Sequence, residues 1–186
     1  KKQMQIGDGD QSIPCANKSI IGSRVLIRVF DLLISMLAIA LLTPLLCALV
    51  IICFLDSRSP IFIQKRLGKN SKTFYLYKFR TIKLGTAEVA THMLPSDCLT
   101  TNGAWLRRFK LDELPQLFNV IKGDMSIVGP RPNLLSQTEL IEERIRLGVY
   151  SVRPGITGLS QVKGVTMATP NLLAKTDKQM ITSLSL

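Results

Sequence analysis

Two adjacent carboxylates, Asp112 and Glu113, are the side chains in this 186-residue sequence whose types and spacing most readily suggest chemistry. They follow the basic residues Arg107 and Lys110, and the Leu-Pro-Gln-Leu segment after them predicts a helix start. Acidic residues are common at helix starts because they complement the helix dipole, and this structural interpretation stays open on these residues alone. Backbone N–H groups at a helix start also bind phosphate, and the nearby cations would keep both carboxylates ionised. An ionised aspartate can attack phosphorus, and a neighbouring glutamate can help to bind Mg²⁺.

Four further basic side chains are candidates for contacts with anions. In the strand predicted for 74–81, alternation places Lys78 and Arg80 on one face, about 7 Å apart, as a clamp for a diphosphate. Arg131 and Arg153 each precede a proline, which restricts the backbone and fixes where the arginine points. Arginines beside prolines are ordinary loop features more often than not. Two of them near a basic strand and a carboxylate pair nevertheless favour an anion site.

The composition narrows the function classes. The chain carries 24 Lys and Arg against 13 Asp and Glu, a formal charge of +11, and 46% of its residues are hydrophobic. A basic and apolar chain points to anionic partners, namely a membrane surface, nucleic acid or a phosphorylated substrate. With a single His there is no spare candidate for a His-based triad, and the cysteine spacing disfavours a zinc or disulfide framework.

The elements that must position these residues predict a mixed fold. We expect strands over 61–64 and 74–81, with Tyr75, Tyr77 and Phe79 on a buried face. A short helix is expected over 114–121, and a capping box at Ser136–Glu139 predicts a second helix that ends at Gly148. The predicted fold class is α+β, a small mixed globular domain attached to an N-terminal membrane segment.

The membrane segment is a run of 24 residues without a charge, from Leu32 to Leu55. This length suffices for a helix to cross a hydrocarbon core of roughly 30 Å. Thr43 and Pro44 lie near its middle, where a proline kinks a helix, and both flanks are basic. A re-entrant helix-break-helix and an ordinary kinked span are both compatible with these residues. We therefore divide the chain into a polar tail (1–19), an interfacial and membrane helix (20–56) and a catalytic domain (57–186).

Three motifs resemble those of a known family, in the same order. They are Leu111-Asp-Glu-Leu-Pro-Gln-Leu-Phe-Asn-Val-Ile-Lys-Gly-Asp-Met-Ser-Ile-Val-Gly-Pro-Arg-Pro132, Tyr77-Lys-Phe-Arg-Thr81 and Val152-Arg-Pro-Gly-Ile-Thr-Gly-Leu159. They are similar to motifs of the bacterial sugar transferases, monotopic polyprenol-phosphate phosphoglycosyl transferases that initiate surface glycan assembly. The similarity runs from about Arg24 to near the C-terminus.

The resemblance implies a re-entrant membrane helix broken at Thr43-Pro44 and a two-step reaction. Asp112 attacks the β-phosphate of a UDP-sugar, such as a UDP-N-acetylhexosamine or a derivative, and UMP leaves. Polyprenol phosphate, expected to be undecaprenyl phosphate, then accepts the phosphosugar and becomes a lipid-linked diphosphate sugar. This would be the first membrane step of a glycan such as O-antigen or capsule, catalysed on the cytoplasmic face of the bacterial inner (plasma) membrane.

The same resemblance assigns roles to individual residues. Glu113 matches the acidic position that helps to bind Mg²⁺, the expected cofactor, and Asp177 matches a position facing the nucleotide. Phosphate contacts are expected from Lys78, Arg107, Arg131 and Arg153, together with Arg80 from the strand argument. Departures from the family pattern, which leave the sugar open, lie at Ser160, Gly164, Val165, Gln179 and Met180.

Two other functions remain as alternatives. One is a membrane-tethered module whose basic face binds anionic lipid or nucleic acid. Such a module has no use for a carboxylate pair within its basic segment, and the sequence shows no nucleic-acid-binding signature, so no nucleic-acid partner is expected. The other is a glycosyl transferase that moves the sugar without its phosphate and would release UDP instead of UMP.

Overall fold

The computed structural model describes residues 18–86 and 96–184, and it describes side chains over residues 25–86 and 97–183. The predicted polar tail falls outside the described residues except for its last two positions. Short 3₁₀ turns at Lys69–Ser71, Ser96–Cys98, Leu111–Glu113 and Val149–Ser151 connect the main elements. In chain order these elements are α1 (Lys18–Ser57), β1 (Ile61–Leu67), β2 (Thr73–Phe79), α2 (Gly103–Arg108), α3 (Gln116–Lys122), β3 (Ser126–Val128), α4 (Thr138–Arg146), β4 (Gly155–Thr157), α5 (Leu159–Val162) and α6 (Pro170–Leu184). The mixed helix and sheet architecture is confirmed.

Two small sheets support the domain. β1 and β2 correspond to the two predicted strands and form an antiparallel hairpin, whose turn places Asn70 in the left-handed region with φ 55°. β3 and β4 pair in parallel, and the chain after β3 turns back so that Gly129 and Pro130 approach the segment at the start of β4. The approach is so close that a Cβ on Gly129 would lie 2.6 Å from the carbonyl oxygen of Arg153. Glycine is therefore required at this crossing for steric reasons.

The predicted buried face of β2 is wrong in part. Phe79 is buried, but Tyr75 is 48% exposed, and Phe74 and Leu76 are buried instead. The reason is that β2 lies between two hydrophobic clusters. Phe74 and Leu76 pack with residues of α3 and of the segment before β3, whereas Phe79 packs with residues of α1 and α2. A strand with partners on both sides does not show one polar and one apolar face.

The predicted capping box at the start of α4 is also wrong. The helix begins at Thr138, and the side chain of Gln137 accepts a hydrogen bond from the backbone N–H of Leu134 at 2.8 Å. The predicted end is confirmed, because the chain turns at Gly148 with φ 68°. α4 packs on α6 through a cluster centred on Leu140, which is 1% exposed.

The long helix α1 contains the segment Val25–Ser57, which is apolar and long enough to cross a membrane by length and composition. It is continuous through Pro44, so the predicted break is not confirmed, although Thr43 donates its hydroxyl to the carbonyl oxygen of Ile39 at 2.7 Å. The middle of α1 is widely exposed, with Leu41 at 71%. Its flanks are different, because both contact the globular domain.

The first flank of α1 is attached by polar contacts. Arg28 donates to the carbonyl oxygens of Val120 and Ile121 at 2.8 and 3.1 Å, and Asp31 accepts from Ser126 Oγ and the N–H of Ile127 at 2.8 and 3.0 Å. The second flank is attached mainly by apolar packing. Its buried residues Leu49 and Cys53 pack with Phe79 and Leu106, and Asp56 accepts from the N–H of Asn102 at 3.0 Å.

Candidate active site

Asp112 and Glu113 lie in the 3₁₀ turn Leu111–Glu113, which connects α2 to α3. Lys110 has a left-handed backbone with φ 58°, so the chain reverses sharply at the end of α2 and directs both acidic side chains inwards. Asp112 is 7% exposed and Glu113 is 8% exposed. Acidic side chains are almost never buried unless they are paired, so each of these carboxylates calls for an explanation.

Glu113 is paired with two cations through a single oxygen, Oε1. Lys78 donates its Nζ from β2 at 2.9 Å, and Arg131 donates its NH2 from the loop after β3 at 2.7 Å. Such charge-assisted hydrogen bonds are the strong ones in proteins. We call these three side chains the Glu113 cluster. The structure thus brings together a predicted metal ligand and two predicted phosphate ligands from three separate elements.

The charges of the cluster determine its ionisation. Burial alone would raise the pKa of Glu113, but Lys78 and Arg131 outweigh burial and lower that pKa to about 2. Burial lowers the pKa of Lys78, and the attraction to Glu113 opposes this only in part. Glu113 is therefore ionised at neutral pH, as predicted, and the cluster carries one net positive charge when both cations are protonated.

Asp112 differs from its neighbour because its buried Oδ1 atom has no hydrogen-bond partner among the described residues. Burial raises the pKa of Asp112, Lys78 and Arg107 oppose this rise, and the charge of Glu113 adds to it. The pKa of Asp112 is therefore raised overall, whereas the sequence led us to expect that the neighbouring cations would lower it. A more basic carboxylate is the better nucleophile once it is ionised. A buried oxygen without a partner, next to cations, can receive a reacting group.

Arg107 lies near this carboxylate, but Arg80 does not contact it. The Nε of Arg107 donates to the hydroxyl of Thr81 at 2.8 Å, and its charge interacts with that of Asp112. Arg80 instead donates to the carbonyl oxygens of Ser59 and Ile61 at 2.9 and 3.3 Å. Lys78 and Arg80 thus bond to different partners, and β2 ends at Phe79, before Arg80. The Lys78–Arg80 clamp and the phosphate role of Arg80 stay predictions.

Two other predicted site residues lie away from the carboxylates. Arg153 donates its Nε to the carbonyl oxygen of Gly123 at 2.8 Å, at the C-terminal end of α3. Asp177 is 0% exposed and accepts from the NH2 of Arg144 at 2.6 Å. In this arrangement the Asp177 carboxylate has no surface from which to reach a nucleotide. The phosphate role of Arg153 and the nucleotide role of Asp177 stay predictions.

Arg144, which the sequence analysis did not single out, supports the site from behind. Its NH1 donates to the carbonyl oxygen of Arg131 and to Asn133 Oδ1, both at 2.9 Å, while its NH2 binds Asp177. Tyr150 donates to the same Asn133 oxygen at 2.9 Å. This buried network holds the backbone of the turn from which Arg131 reaches Glu113.

Asn119 is a second supporting residue that the sequence analysis missed. Its side chain accepts from the N–H of Tyr77 at 3.0 Å and donates to the carbonyl oxygen of Tyr75 at 2.7 Å. The amide therefore pairs with β2 as a neighbouring strand would, and it joins α3 to the strand that carries Lys78. The sequence signal that could have identified Asn119 is a polar residue within the apolar run of α3. The structure shows that this position is fully buried.

The carboxylate pair fits a magnesium ion held jointly with a substrate. Among the described residues no group of three or more His, Cys, Asp and Glu side chains is placed to hold a metal. Mg²⁺ however usually takes one or two carboxylates and completes its shell with water and substrate phosphates. Asp112 Oδ1 has no partner there, and the two bonds to Glu113 both end on Oε1.

The fold and the site together define a membrane-associated α+β protein with a buried site of carboxylates and cations. The family model described as "Bacterial sugar transferase" matches residues 22–186, and the chain belongs to this family. The predicted family is thereby confirmed.

Three curated relatives illustrate the match. The chain is 42% identical over 147 residues to the undecaprenyl-phosphate glucose phosphotransferase of Komagataeibacter xylinus, covering 74% of this chain and 27% of that protein. It is 37% identical over 140 residues to the UDP-N-acetylgalactosamine-undecaprenyl-phosphate N-acetylgalactosaminephosphotransferase of Aeromonas hydrophila, covering 73% and 33%. It is 39% identical over 152 residues to the exopolysaccharide production protein PSS of Rhizobium leguminosarum bv. phaseoli, covering 76% and 75%. The chain spans about a third of the length of the first curated relatives it matches.

The Arg144–Asp177 pair yields a stability prediction. Arg144→Met leaves Asp177 buried without its cation, and we expect a loss of about 3 to 5 kcal/mol in the free energy of unfolding. The double variant Arg144→Met/Asp177→Leu should recover part of this loss because no buried charge remains. Denaturant unfolding measures both. Arg146→Met on the same helix removes an exposed ion pair and serves as the control with an unchanged midpoint. A single variant as stable as the wild type would contradict the pairing.

The lowered pKa of Glu113 yields a pH prediction. Because its folded pKa of about 2 lies below the ordinary value of 4.5, the ionised carboxylate stabilises the fold above pH 4.5. This stabilisation, roughly 3 kcal/mol, is lost as the pH falls through about 2. Denaturant unfolding should therefore show a gap between wild type and Glu113→Gln that shrinks below pH 4.5. The exposed Glu142→Gln variant is the control, and a pH-independent gap for Glu113→Gln would refute the prediction.

Proposed function

We propose that the protein is a phosphoglycosyl transferase that moves a sugar 1-phosphate from a UDP-sugar to polyprenol phosphate. The observation that carries this proposal is the buried Asp112 oxygen without a partner beside the Glu113 cluster. The names of two of the relatives, which describe sugar phosphotransfer to undecaprenyl phosphate, support the same reaction class. A UDP-N-acetylhexosamine or a derivative is the proposed donor.

The reaction proceeds by two displacements at phosphorus. In the first, an Asp112 oxygen forms a bond to the β-phosphorus, the bond from that phosphorus to the bridging oxygen breaks, and UMP leaves with the bonding electrons. In the second, a phosphate oxygen of polyprenol phosphate attacks the same phosphorus, and the bond to Asp112 breaks. The product is polyprenol diphosphate sugar, and the carboxylate is regenerated.

The cations around Asp112 supply electrostatic stabilisation for both steps. Lys78 and Arg131 are fixed by Glu113 and need no reorganisation when negative charge develops on the phosphoryl oxygens. Arg107 adds a further positive charge near the nucleophile. Mg²⁺, when bound by Glu113 together with the substrate, would neutralise diphosphate charge and assist departure of UMP. The surrounding residues also shield the reacting carboxylate of Asp112 from water.

The membrane arrangement we propose is re-entrant. Arg28 and Leu49 contact the same globular domain, although they are 21 residues apart in α1. A straight helix between them would be about 30 Å long, the thickness of the hydrocarbon core, and would place them at opposite membrane faces. Attachment of both flanks to one domain, with an exposed apolar middle, supports a helix that enters and leaves by the same face.

The cytoplasmic face of the bacterial inner membrane is the proposed location. Basic residues follow the membrane segment densely, and no acidic residue lies between Arg58 and Lys83. Segments on the cytoplasmic side are enriched in Lys and Arg, so this flank and the domain behind it belong there.

The nucleophile is tested by Asp112→Asn. We expect the variant to stay folded and to lose turnover by about a thousandfold or more, because an amide cannot attack phosphorus. Nucleotide release from a panel of UDP-sugars, with Mg²⁺ and undecaprenyl phosphate, is the measurement. We expect UMP release from the wild type and from the exposed control Asp97→Asn, and none from Asp112→Asn. Release of UDP would mean plain glycosyl transfer, and substantial activity in a folded Asp112→Asn would remove Asp112 as nucleophile.

The re-entrant course is tested by cysteine labelling. A cysteine placed at the exposed Val25 should react with an impermeant maleimide from the same membrane side as one placed at Asp97. Pro44→Leu removes the kinking residue and should favour a straight span, moving position 25 to the far side, whereas the neighbouring change Leu45→Ala should not. If position 25 already reacts from the opposite side in the wild type, the re-entrant course is wrong.

A further inference from the structure

A cavity of about 340 Å³ lies outside the Glu113 cluster, between the first flank of α1, β3 with the loop residues beside it, and the end of α6. None of Asp112, Glu113, Lys78 or Arg131 lines it. Its walls are mostly apolar, but Arg28 and Arg153 both face it. Neither residue belongs to the carboxylate site described above, and the cavity therefore needs its own explanation.

Arg28 and Arg153 both bind backbone carbonyl oxygens, but these bonds leave some of the N–H donors of Arg153 unused. Together they cap the C-terminal end of α3, with Arg28 donating from NH1 and NH2 and Arg153 donating only from Nε. The terminal NH1 and NH2 groups of Arg153 make no hydrogen bond to any other described residue. They remain available for a ligand in the cavity.

The cavity has an excess of positive charge. The two guanidinium groups are close enough to repel each other. Asp31, the carboxylate in the lining, has both oxygens engaged, one by Ser126 Oγ at 2.8 Å and the other by the N–H of Ile127 at 3.0 Å. Two arginines facing one carboxylate leave a net positive charge that favours an anion, and the guanidinium geometry suits phosphate.

The apolar part of the lining continues onto the exposed surface of α1. Ile27, Phe30 and Ile34 line the cavity and are also 39%, 54% and 51% exposed. They lie in the segment that is apolar enough for a membrane. Val128 and Met180 complete the wall from β3 and α6. The cavity thus combines a cationic end with a hydrocarbon wall that opens towards the lipid-facing helix.

We propose that this cavity binds the polyprenol phosphate acceptor, with its phosphate on Arg28 and Arg153 and its first isoprene units along the apolar wall. The proposal rests on the proposed function and assigns Arg153 to the acceptor instead of the UDP-sugar. Gly129 and Pro130 line the cavity, and the next residue, Arg131, binds Glu113. The segment Gly129–Arg131 therefore connects the proposed acceptor cavity to the Glu113 cluster.

Binding and donor chemistry are measured separately on the full chain in lipid nanodiscs. The binding probe is a photoreactive polyprenyl phosphate, used without a donor and compared with the same polyprenol lacking phosphate. The chemical readout is the single burst of UMP released from the UDP-sugar without any acceptor. The variants are Arg153→Gln, Arg28→Gln and the cavity-filling Val128→Trp. Arg58→Gln is the matched control, since it removes an exposed arginine at the other membrane flank, outside the cavity.

We expect each arginine variant to weaken binding of polyprenyl phosphate by about tenfold or more, as loss of a charge-assisted contact does. Val128→Trp should weaken binding of both lipids, Arg58→Gln should change neither, and the UMP burst of Arg153→Gln should equal that of the wild type. Undiminished binding in both Arg153→Gln and Val128→Trp would overturn the proposal. So would a lost UMP burst in Arg153→Gln, or equal competition by inorganic phosphate or phosphatidylglycerol. If no UDP-sugar yields UMP but lipid binding still depends on Arg153, the proposed function fails and the polyprenyl phosphate site stands.

Discussion

The ion cluster of Glu113, Lys78 and Arg131 is the interaction on which the rest of the site depends. Its members come from a 3₁₀ turn, from β2 and from the loop after β3. Removing each ion from water costs several kcal/mol, and only close hydrogen bonds with good geometry offset that cost. The three elements must therefore be in place together. Once they are, Asp112 lies in a dry, positive environment without having to bind any cation itself.

A line of polar contacts behind the cluster explains how the protein maintains that geometry. Asp177 on α6 binds Arg144 on α4, Arg144 binds the backbone of Arg131, and Arg131 binds Glu113. A displacement along this line would leave a buried charge without its partner, and the cost of such a charge disfavours other arrangements. The last helix of the chain thus contributes to the active site although it supplies no side chain to the carboxylates. Asn119 plays the corresponding part on the other side, between α3 and β2.

The sequence predicts the features that depend on residues close together in the chain, and it misses those that depend on contacts between distant segments. The two strands and the apolar helix are contiguous patterns, and each is confirmed as an element. Asp112 and Glu113 are also adjacent in sequence, and the structure buries both in one 3₁₀ turn, while their catalytic roles stay predictions. Arg144 could not be found in this way, because a charged residue among Glu142, Glu143 and Arg146 has the pattern of a solvated helix face. Its burial is decided by α6, which is more than twenty residues away in sequence.

Contacts between distant segments also separate the basic residues into two groups. Lys78 and Arg131 bind Glu113, whereas Arg153 binds the carbonyl oxygen of Gly123 at the end of α3, although all three residues match the family motifs. A diphosphate donor and a phosphate acceptor each bring negative charge, and one cluster with a single net positive charge cannot neutralise both. In the reaction proposed above, Arg28 and Arg153 hold the acceptor on the other side of the turn at residues 129–132, apart from the donor until the donor has lost its nucleotide. The charge of the site then suits a reaction in which the substrates bind in sequence.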